Sequence, residues 1–344
     1  MKIKILLVGS MTNYNIYEKP LMEGLKANNC IVKNFRSFDP FKLNFFNYPK
    51  HIFQERLRIS FFLKKKNISL INKVKIFKPD IVFLWRTTTI LPWTLNEIKR
   101  QNPNIKIYLY HNDNPYIGFI NYIKYRHYLN SIRYSDITYV YRPSDQKYVL
   151  KYFPKKVFLL KPNYISYLHK PNPKNKKIND VIFVGHFAND RAKLLNELYI
   201  NNIKFEVYGN GWLTSKYKNL WKNIKMGREI KDKDYVKKIC SSKIAIGFLS
   251  KKNKDVYTRR CFEIPACKTL LIAPKTREIQ KILKNDIEVV LWNNSKDFIK
   301  KIKFLLKNKR IIKRISLAGY LKMTRGNHSE IHRAKEILKK YARN

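Results

Sequence analysis

The sequence has few acidic residues. It contains 24 Asp and Glu against 72 Lys and Arg, which gives a formal net charge of +48 at pH 7. An AT-rich genome can account for abundant lysine, but it does not account for the shortage of acids. A field this positive favours a polyanionic partner, which can be anionic lipid, nucleic acid or a phosphorylated substrate. Composition alone leaves all three open.

Cysteine, metal-binding patterns and long apolar runs are also scarce. Four scattered cysteines in 344 residues argue against a disulfide framework and indicate a reducing compartment. The seven histidines and the cysteines do not cluster with the spacing of a structural zinc site, so we predict no metal. No apolar run approaches the roughly 18 residues that span a bilayer. The start, "MKIKILLVGS", lacks a small-residue cleavage site, so we expect a soluble, cytoplasmic protein.

Common nucleotide-binding fingerprints are missing, but a clear alternation of elements is present. "LLVGS" is not G-x-G-x-x-G, and the chain contains no G-x-x-x-x-G-K-[ST]. Short apolar runs such as "KIKILLVGS", "KPDIVFLWR" and "IKIYLYHND" alternate with stretches of helical spacing. Strands that are apolar on both faces and alternate with helices predict βαβ units and parallel sheets.

The alternation occurs twice, on either side of a stretch rich in Pro, Asn and Lys. We predict an N-terminal α/β domain over 1–165, a linker over 166–179 and a C-terminal α/β domain over 180–325. Residues 326–344 form a C-terminal helix that can pack back on the N-terminal domain. Ligands of such sheets bind beyond the carboxyl ends of the strands, and here also in the cleft between domains.

The loop "VGHFANDR" follows the first strand of the C-terminal domain. It places Gly185 and His186 after the strand and Arg191 at the start of a helix. Backbone N–H groups at a helix start, together with a guanidinium, would form a seat for a diphosphate. The alternative is a helix capped by Asn189 or Asp190 with an exposed arginine.

Two further loops follow strands. "YGNGW" sets Tyr208, Gly209 and Gly211 where the backbone could approach a flat base, although such a stretch is often only a tight turn. "HNDNP" in the N-terminal domain holds His111 and Asp113. Asp113 could act as a general base or hold a sugar hydroxyl, or it could close an Asx turn.

The stretch "YTRRCFEIPACKTLLIAP" contains an isolated carboxylate. Glu263 is expected in a short helix that leads into a strand, with Arg259 and Arg260 one turn away. A carboxylate accepts hydrogen bonds from the two hydroxyls of a ribose, and the arginines could meet a diphosphate. A structural Arg–Glu pair explains the same residues equally well.

Several of these stretches resemble a known family. "DVIFVGHFANDR", "FEVYGNGW", "YTRRCFEIPACKTLLIAP", "EVVLWNNSKDF" and "AGYLKMTRGNHSEIHRAKEIL" occur in the order seen in CgeB-like glycosyltransferases, which are similar to glycosyltransferase family 4. "KPDIVFLWR", "HNDNP" and "SDITYVYRPSD" resemble the N-terminal half of the same group. The resemblance implies a GT-B fold of two Rossmann-like, doubly wound domains facing a cleft. It also implies a nucleotide-sugar donor and transfer without a metal or other cofactor.

The resemblance assigns roles to individual residues. Glu263 matches the second glutamate of the family's E-x7-E element, which holds the donor ribose, and Gly185 matches the glycine of the first C-terminal loop. Arg191 falls where relatives place a lysine that contacts the diphosphate. The first glutamate of E-x7-E is assigned to Val256, so we expect that contact to be missing. The family's "ACG" is "ACK" here, with Lys268 in place of a glycine that allows close backbone approach.

The expected mechanism depends on the departing nucleoside diphosphate. Arg191 and Arg259 or Arg260 would stabilise the charge that builds on the β-phosphate. If the reaction inverts configuration, Asp113 or His111 is the expected base. If it retains configuration, the acceptor's proton can pass to the departing phosphate. The expected acceptor is a cell-surface glycan, a lipid-linked intermediate or a protein.

Residues 43–67 interleave aromatic and basic side chains, which suits peripheral contact with an anionic membrane on its inner face. The aromatic residues concerned are Phe45, Phe46, Phe53, Phe61 and Phe62. They could instead pack in the core of the domain.

A basic nucleic-acid-binding protein is the alternative from another class, although no recognised motif supports it. The change at Lys268 also leaves open an inactive, glycan-binding relative.

Overall fold

The computed structural model describes residues 2–11, 14–37, 59–153, 156–172 and 176–341. The chain divides into two compact units. Unit 1 comprises Met1–Lys161 and Ile331–Asn344, and unit 2 comprises Pro162–Glu330. Each unit holds a six-stranded sheet with helices between successive strands. The prediction of two Rossmann-like α/β domains is therefore confirmed.

The sheet of unit 1 is parallel throughout and has the strand order β2-β1-β3-β4-β5-β6. Its strands are β1 (Lys4–Gly9), β2 (Ile31–Arg36), β3 (Ile81–Trp85), β4 (Lys106–His111), β5 (Ile137–Val140) and β6 (Lys156–Leu159). The central strands β1, β3 and β4 are buried almost throughout, as expected when helices cover both faces of a parallel sheet. Their carboxyl ends meet at one edge, where Gly9 lies beside Trp85.

The helices of unit 1 connect these strands. They are α1 (Glu18–Ala27), α2 (Ser60–Phe77), α3 (Pro92–Gln101), α4 (Phe119–Ser131) and α5 (Pro143–Tyr152), with single 3₁₀ turns at Tyr14–Ile16 and Ile132–Tyr134. Helices α3 and α5 each begin with a proline, whose fixed φ suits the first helical position. Helix α2 ends at Lys78 in the left-handed conformation.

The sheet of unit 2 is also parallel and has the order β12-β11-β10-β7-β8-β9. Its strands are β7 (Asn179–Val184), β8 (Phe205–Tyr208), β9 (Lys225–Gly227), β10 (Ser242–Ile246), β11 (Leu270–Pro274) and β12 (Val290–Trp292). Strand β7 is central, so the loop that follows it lies between the loops after β8 and β10. The predicted candidate loops of this domain therefore meet at one edge of one sheet.

Seven helices are described in unit 2: α6 (Asn189–Ile200), α7 (Tyr217–Leu220), α8 (Asp232–Cys240), α9 (Arg260–Ala266), α10 (Arg277–Gln280), α11 (Ser295–Lys307) and α12 (Lys309–Arg325). Helix α11 is capped by Asn294, whose side chain accepts a hydrogen bond from the Asp297 N–H at 3.0 Å. It buries Phe298 and Ile302, so its apolar face packs in the core.

The chain returns to unit 1 through α13 (Glu330–Tyr341). Ala334 and Ile337 are fully buried, and the Tyr139 hydroxyl donates to the Ile337 carbonyl at 3.4 Å. Within unit 2, the Ser166 N–H and hydroxyl donate to the Glu330 carboxylate at 2.8 and 2.6 Å. The segment that enters unit 2 is thus tied to the residue at which the chain leaves it.

The sequence patterns did not predict every element. They did not assign the short strands β6, β9 and β12 or the helices α2, α4, α5, α7, α8, α10 and α12. Of the predicted membrane-contacting stretch, residues 43–58 lie outside the described part of the chain. Phe61 lies on α2 with 79% of its surface exposed. None of the described helices is both long and apolar enough to cross a bilayer.

Asn67 on α2 fixes the connection between β3 and α3, and it is fully buried. Its amide donates to the Leu63 and Thr89 carbonyls and accepts from the Leu91 N–H and the Thr94 hydroxyl, at 2.8–3.1 Å. Asn67→Leu would leave several buried polar groups without a partner. We expect it to lower the free energy of unfolding by about 3 kcal/mol or more, measured by urea denaturation.

Asn67→Asp keeps the acceptor but loses both donors and buries a charge without a counter-ion, so near pH 7 it should destabilise at least as much as the leucine variant. Asn104→Leu, at an exposed asparagine of the same unit, should change stability by no more than about 0.5 kcal/mol. Equal stabilities of the two leucine variants would contradict the assignment of Asn67 as a buried polar support.

Candidate functional site

The loops after β7 and β8 are locked together at the carboxyl edge of the unit 2 sheet. The Gly185 N–H donates to the Tyr208 carbonyl at 2.8 Å, and the Phe187 N–H donates to the Asn210 carbonyl at 2.9 Å. A Cβ at Gly209 would lie 2.0 Å from the Gly185 carbonyl oxygen, and the φ of Gly209 is 152°. Glycine is required at this position because the neighbouring loop approaches so closely.

Gly211 and Tyr208, the other two candidate residues of "YGNGW", also have local structural roles. Gly211 has a φ of 86°, and a Cβ there would lie 3.0 Å from the Phe187 Cβ. The Tyr208 hydroxyl donates to the Glu206 carboxylate at 2.9 Å, and Lys238 lies over its ring at 5.0 Å. The turn therefore shapes the edge of the sheet and positions the backbone of the preceding loop.

The start of α6 presents backbone N–H groups that no described side chain caps. Its N-cap is Ala188, so the alternative of a cap by Asn189 or Asp190 is wrong. Arg191 lies in the first turn, and its Nη1 donates to the carbonyl of His186, whose side chain is exposed, at 2.9 Å. Burial lowers the pKa of Arg191, while the carboxylate of Asp190 acts against that shift.

Glu263 lies on α9 and is buried with its carboxylate held by two arginines. Arg259 donates through Nε and Nη2 to Oε1, at 2.9 and 2.8 Å, and Arg260 donates through Nη1 to Oε2. Arg260 also reaches the Val184 carbonyl at the end of β7, at 3.4 Å from Nη2. The Arg–Glu pair is therefore present, and it brings Arg260 to the centre of the carboxyl edge.

Two buried side chains that the sequence reasoning missed surround this pair. His169, from the predicted linker, lies with Nε2 3.9 Å from Glu263 Oε1, and its Nδ1 accepts from the Ile165 N–H at 2.9 Å. Tyr235 on α8 packs its ring 4.3 Å from the Arg260 guanidinium. Neither residue lies near Glu263 in sequence, so no local pattern indicated them.

In this cluster, burial and the neighbouring charges shift the pKa values of the buried groups in opposite directions. Burial alone would raise the pKa of Glu263, but the Arg259 and Arg260 guanidinium groups outweigh it and hold the pKa well below its usual range. Burial lowers the pKa of His169 to about 4, although the charge of Glu263 opposes that shift. Glu263 is thus ionised and His169 neutral near pH 7.

The predicted first position of the E-x7-E element lies one residue too far along the sequence. Seven residues separate Asp255 from Glu263, so the first acidic position falls on Asp255 and not on Val256. Asp255 is half-buried in the loop after β10, and its N–H donates to the Ser250 carbonyl at 3.0 Å. Its charge, like that of Asp190, opposes the lowering of the Arg191 pKa by burial. An acidic residue therefore stands at the E-x7-E spacing from Glu263, as an aspartate.

Lys268 occupies the end of α9. Its φ is 53°, its N–H donates to the Pro265 carbonyl at 2.8 Å, and the Thr269 N–H donates to the Ile264 carbonyl at 3.4 Å. These two bonds form a Schellman motif, in which the left-handed position is usually glycine. The structure therefore explains the family's glycine at this position by helix termination.

In unit 1, His111 and Asp113 lie at the carboxyl end of β4. The Asp113 N–H donates to His111 Nδ1 at 3.1 Å, and the Tyr125 hydroxyl donates to Asp113 Oδ2 at 3.1 Å. Burial lowers the pKa of His111 well below its ordinary value. Burial would raise the pKa of Asp113, but His111, Arg86 and Lys124 together lower it. Asp113 is the more exposed of the two and is ionised near pH 7.

A second buried carboxylate lies at the same edge of unit 1 and was not predicted. Glu18 is fully buried, and its Oε1 accepts from the Met11 N–H at 3.3 Å. Burial raises the pKa of Glu18, whereas the Arg86 charge lowers it. Arg86 and Met11 both have left-handed backbone, with φ of 55° and 59°, and Arg86 Nε donates to the Asn112 side chain at 2.5 Å. Such strained residues cluster at functional sites.

The structure thus groups the candidates into two sets, one in each unit. Unit 2 collects Gly185, His186, Arg191, Arg259, Arg260 and Glu263 at the carboxyl edge of its sheet. Unit 1 collects His111 and Asp113 at the corresponding edge of its own sheet. Over the described ranges, no group of three or more His, Cys, Asp or Glu side chains is arranged to hold a metal ion.

Sequence comparison supports a resemblance to glycosyltransferases, without specifying the CgeB-like group, over the C-terminal part of the chain. Residues 191–339 match the family model described as "Glycosyl transferase-like". The match begins at Arg191 and includes the whole stretch around Glu263. No curated protein sequence matches the chain.

Solved structures support the fold over almost the whole chain. Sucrose-phosphate synthase from Thermosynechococcus elongatus is similar with a TM-score of 0.70 and 12% identity, covering 99% of each chain. Anabaena HepE, solved with UDP and glucose, has a TM-score of 0.67 and 10% identity, also covering 99% of each. UDP-GlcNAc 2-epimerase from Neisseria meningitidis has a TM-score of 0.58 and 12% identity, covering 99% of this chain and 100% of that chain. The fold is GT-B, as predicted, and residues 191–339 are similar to the glycosyl transferase-like family model.

The position of Lys268 generates a stability prediction. A non-glycine residue in the left-handed region is strained, so Lys268→Gly should raise the free energy of unfolding of unit 2 by about 0.5–1 kcal/mol. Lys300→Gly, at an exposed lysine inside α11, should lower it by about 1 kcal/mol. Thermal and urea unfolding measure both. A loss of stability in Lys268→Gly would contradict the helix-terminating role.

The buried His169 generates a pH prediction. Its pKa falls from an ordinary 6.5 to about 4 in the folded chain, so the folded state binds fewer protons than the unfolded state in this window. Stability that is present above pH 6.5 is lost as pH falls toward 4, by about 2 kcal/mol between pH 7 and pH 5. His169→Asn keeps an acceptor for the Ile165 N–H but cannot titrate.

The decline in the free energy of unfolding between pH 7 and pH 5, measured by urea unfolding, should therefore be smaller in His169→Asn than in the wild type by about 2 kcal/mol. His186→Asn, at an exposed histidine, should leave the decline unchanged. Parallel curves for the wild type and His169→Asn would show that His169 is not buried in its neutral form.

Proposed function

We propose that the protein is a CgeB-like glycosyltransferase of the hexosyltransferase type, which moves a sugar from a nucleotide-diphosphate sugar to an acceptor. The acceptor would be a cell-surface glycan, a lipid-linked intermediate or a protein. The transfer would need neither a metal nor another cofactor. The chain would act in the cytoplasm, and its N-terminal unit would receive the acceptor.

One observation supports this proposal most directly. Arg191, Arg260 and the start of α6, which no described side chain caps, converge at the carboxyl end of β7. Backbone N–H groups at a helix start and guanidinium groups together favour a diphosphate, which can accept several charge-assisted hydrogen bonds. The anion position at a central strand is also where open α/β sheets bind ligands.

The chemistry follows from the charge on the leaving group. When the bond between the anomeric carbon and the β-phosphate oxygen breaks, negative charge develops on that oxygen. Arg191 and Arg260, already held in place, would stabilise this charge without reorganising. Loss of one such contact typically costs about 2.7–4 kcal/mol of barrier. These cations would take the part that a metal plays in other sugar transferases.

The two acids of the E-x7-E element would have separate tasks. Glu263 fixes the Arg259 and Arg260 guanidinium groups, and we propose that it also contacts the donor ribose, as the resemblance implies. Asp255 lies close enough to Arg191 for their charges to interact, and it would bind a hydroxyl of the donor sugar. Such remote contacts orient the anomeric carbon for attack.

The acceptor would be activated in unit 1 if the reaction inverts configuration. Of the two predicted bases, Asp113 fits better because its carboxylate is ionised and partly exposed. The Nδ1 of His111 is occupied by the Asp113 N–H, so this histidine supports the loop. If configuration is retained, the acceptor's proton passes directly to the departing phosphate and Asp113 only orients the acceptor.

Nucleotide binding tests the donor site. We expect calorimetric titration with UDP, GDP, CDP and dTDP at physiological salt to show one preferred diphosphate. Arg191→Ala should weaken its binding by about tenfold or more, because a hydrogen bond to a charged group is lost. Binding of the matching monophosphate should change much less. Glu263→Ala should weaken diphosphate binding further, since the Arg259 and Arg260 guanidinium groups lose the carboxylate that holds them in place.

Lys193→Ala is the matched control, because it removes one exposed positive charge from the same helix. This variant should bind the preferred diphosphate with the affinity of the wild type. If all four diphosphates bind weakly, equally in every variant, and release with rising salt, then net charge and not a donor site explains the binding, and the proposal fails.

The similarity to an epimerase makes a test of reaction class necessary. We expect proton NMR of the preferred nucleotide sugar with wild-type protein to show slow release of nucleoside diphosphate and free sugar, with water as the acceptor. Appearance of an epimeric nucleotide sugar would instead assign the site to an isomerase. Tight nucleotide binding with no reaction over long incubation would favour an inactive, glycan-binding relative.

A further inference from the structure

The first turn of α4 exposes apolar side chains that the fold does not use. Phe119, Ile120 and Tyr122 have 76%, 82% and 53% of their surfaces exposed. Gly118, just before the helix, has a φ of 72° and open space around the position of a Cβ. The second half of the helix is different, because Tyr125 and Leu129 are buried in the core of unit 1. The helix is thus anchored at one end and presents an apolar tip at the other.

A row of tyrosines continues this surface onto α5. The ring of Tyr116 lies 4.3 Å from that of Tyr148, which lies 4.8 Å from that of Tyr152. Tyr148 and Tyr152 are 40% and 54% exposed. Tyrosine is enriched where proteins meet the headgroup region of a bilayer, because its ring is apolar and its hydroxyl polar.

The exposed charged side chains on α4 and α5 are positive. No Asp or Glu occurs between Asp113 and Asp136, whereas Lys124 and Arg126 lie on α4. On α5, Lys147 and Lys151 are exposed, and the only acid of that helix, Asp145, is buried against Arg142. An apolar tip, a tyrosine row and a basic rim complement an anionic lipid surface.

We propose that the α4 tip (Phe119, Ile120 and Tyr122), with the tyrosine row and its lysines, docks unit 1 on an anionic lipid bilayer. This surface differs from the stretch that the sequence suggested. The tip projects from a helix start instead of forming a groove, so it suits insertion between headgroups better than capture of a peptide.

The surface is directly connected to the acceptor-side residues. The Tyr125 hydroxyl donates to Asp113, and the Asn121 side chain donates to the Asn114 carbonyl at 3.0 Å. Docking through the α4 tip would tie Asp113 to the same helix that contacts the lipid, through its hydrogen bond from Tyr125. On the proposed function, on which this step rests, the acceptor would be lipid-linked and would reach Asp113 from the bilayer.

Vesicle co-sedimentation tests the proposal. We expect the wild-type protein to bind vesicles of equal parts phosphatidylglycerol and phosphatidylcholine, and to bind pure phosphatidylcholine much less. The double variant Phe119→Ser with Ile120→Ser should lose binding to the anionic vesicles by roughly tenfold or more, since two apolar anchors are removed. The control, Ile76→Ser with Phe304→Ser, removes two other exposed apolar side chains and should bind within about twofold of the wild type.

Four results would overturn the docking surface. The first three are equal binding by the α4 variant and the wild type, no preference of the wild type for anionic vesicles, and equal loss in the variant and its control. The fourth is a stoichiometric complex with a protein partner, without vesicle binding. Phe119→Trp provides a second measurement that does not depend on a drastic substitution. Its emission, compared with that of the wild type's five tryptophans, should shift to the blue only with anionic vesicles.

The test separates this inference from the proposed function. The α4 variant should bind the preferred nucleoside diphosphate as the wild type does, because that site lies in unit 2. Normal nucleotide binding with unchanged vesicle binding would remove the docking surface and leave the transferase proposal intact. Vesicle binding lost in the variant, with no nucleotide binding in any form, would keep the surface and remove the donor site.

Discussion

The buried carboxylate of Glu263 is the interaction on which the architecture of unit 2 depends. A lone ionised carboxylate in this interior would be strongly destabilising, and two guanidinium groups compensate it. The cluster joins α9 to the end of β7 through Arg260, to α8 through Tyr235 and to the entering segment through His169. One negative charge in the core thereby fixes two positive charges at the carboxyl edge of the sheet.

This arrangement separates two kinds of positive charge in the protein. The net charge of +48 acts over long distances, is screened by salt and has no chemical selectivity. The few arginines held at the sheet edge act at contact distance, with fixed geometry and partial burial. Selectivity for a diphosphate requires the second kind. The first kind suits attraction to an extended anionic surface, where exact geometry matters little.

Much of the fold could be predicted from the sequence, because central parallel strands read as continuous apolar runs. The edge strands β6, β9 and β12 have only three or four residues and carry too little pattern to be detected. The site was predictable where a motif was contiguous, as for Glu263 with its arginines. His169, Tyr235 and Glu18 could not be found, since only the folded chain brings them to their partners. The helix-terminating position of Lys268 could not be predicted, because a glycine that terminates a helix and one that admits a ligand look identical in sequence.

The return of the chain to unit 1 has a consequence for biosynthesis. Unit 1 buries Ala334 and Ile337 of α13, so its core cannot be completed until that helix has left the ribosome. Unit 2 is contiguous, and its two ends already meet through Ser166 and Glu330. The second half of the chain can therefore reach its native state before the first, and during that interval the apolar core of the N-terminal domain stays open to solvent and to aggregation.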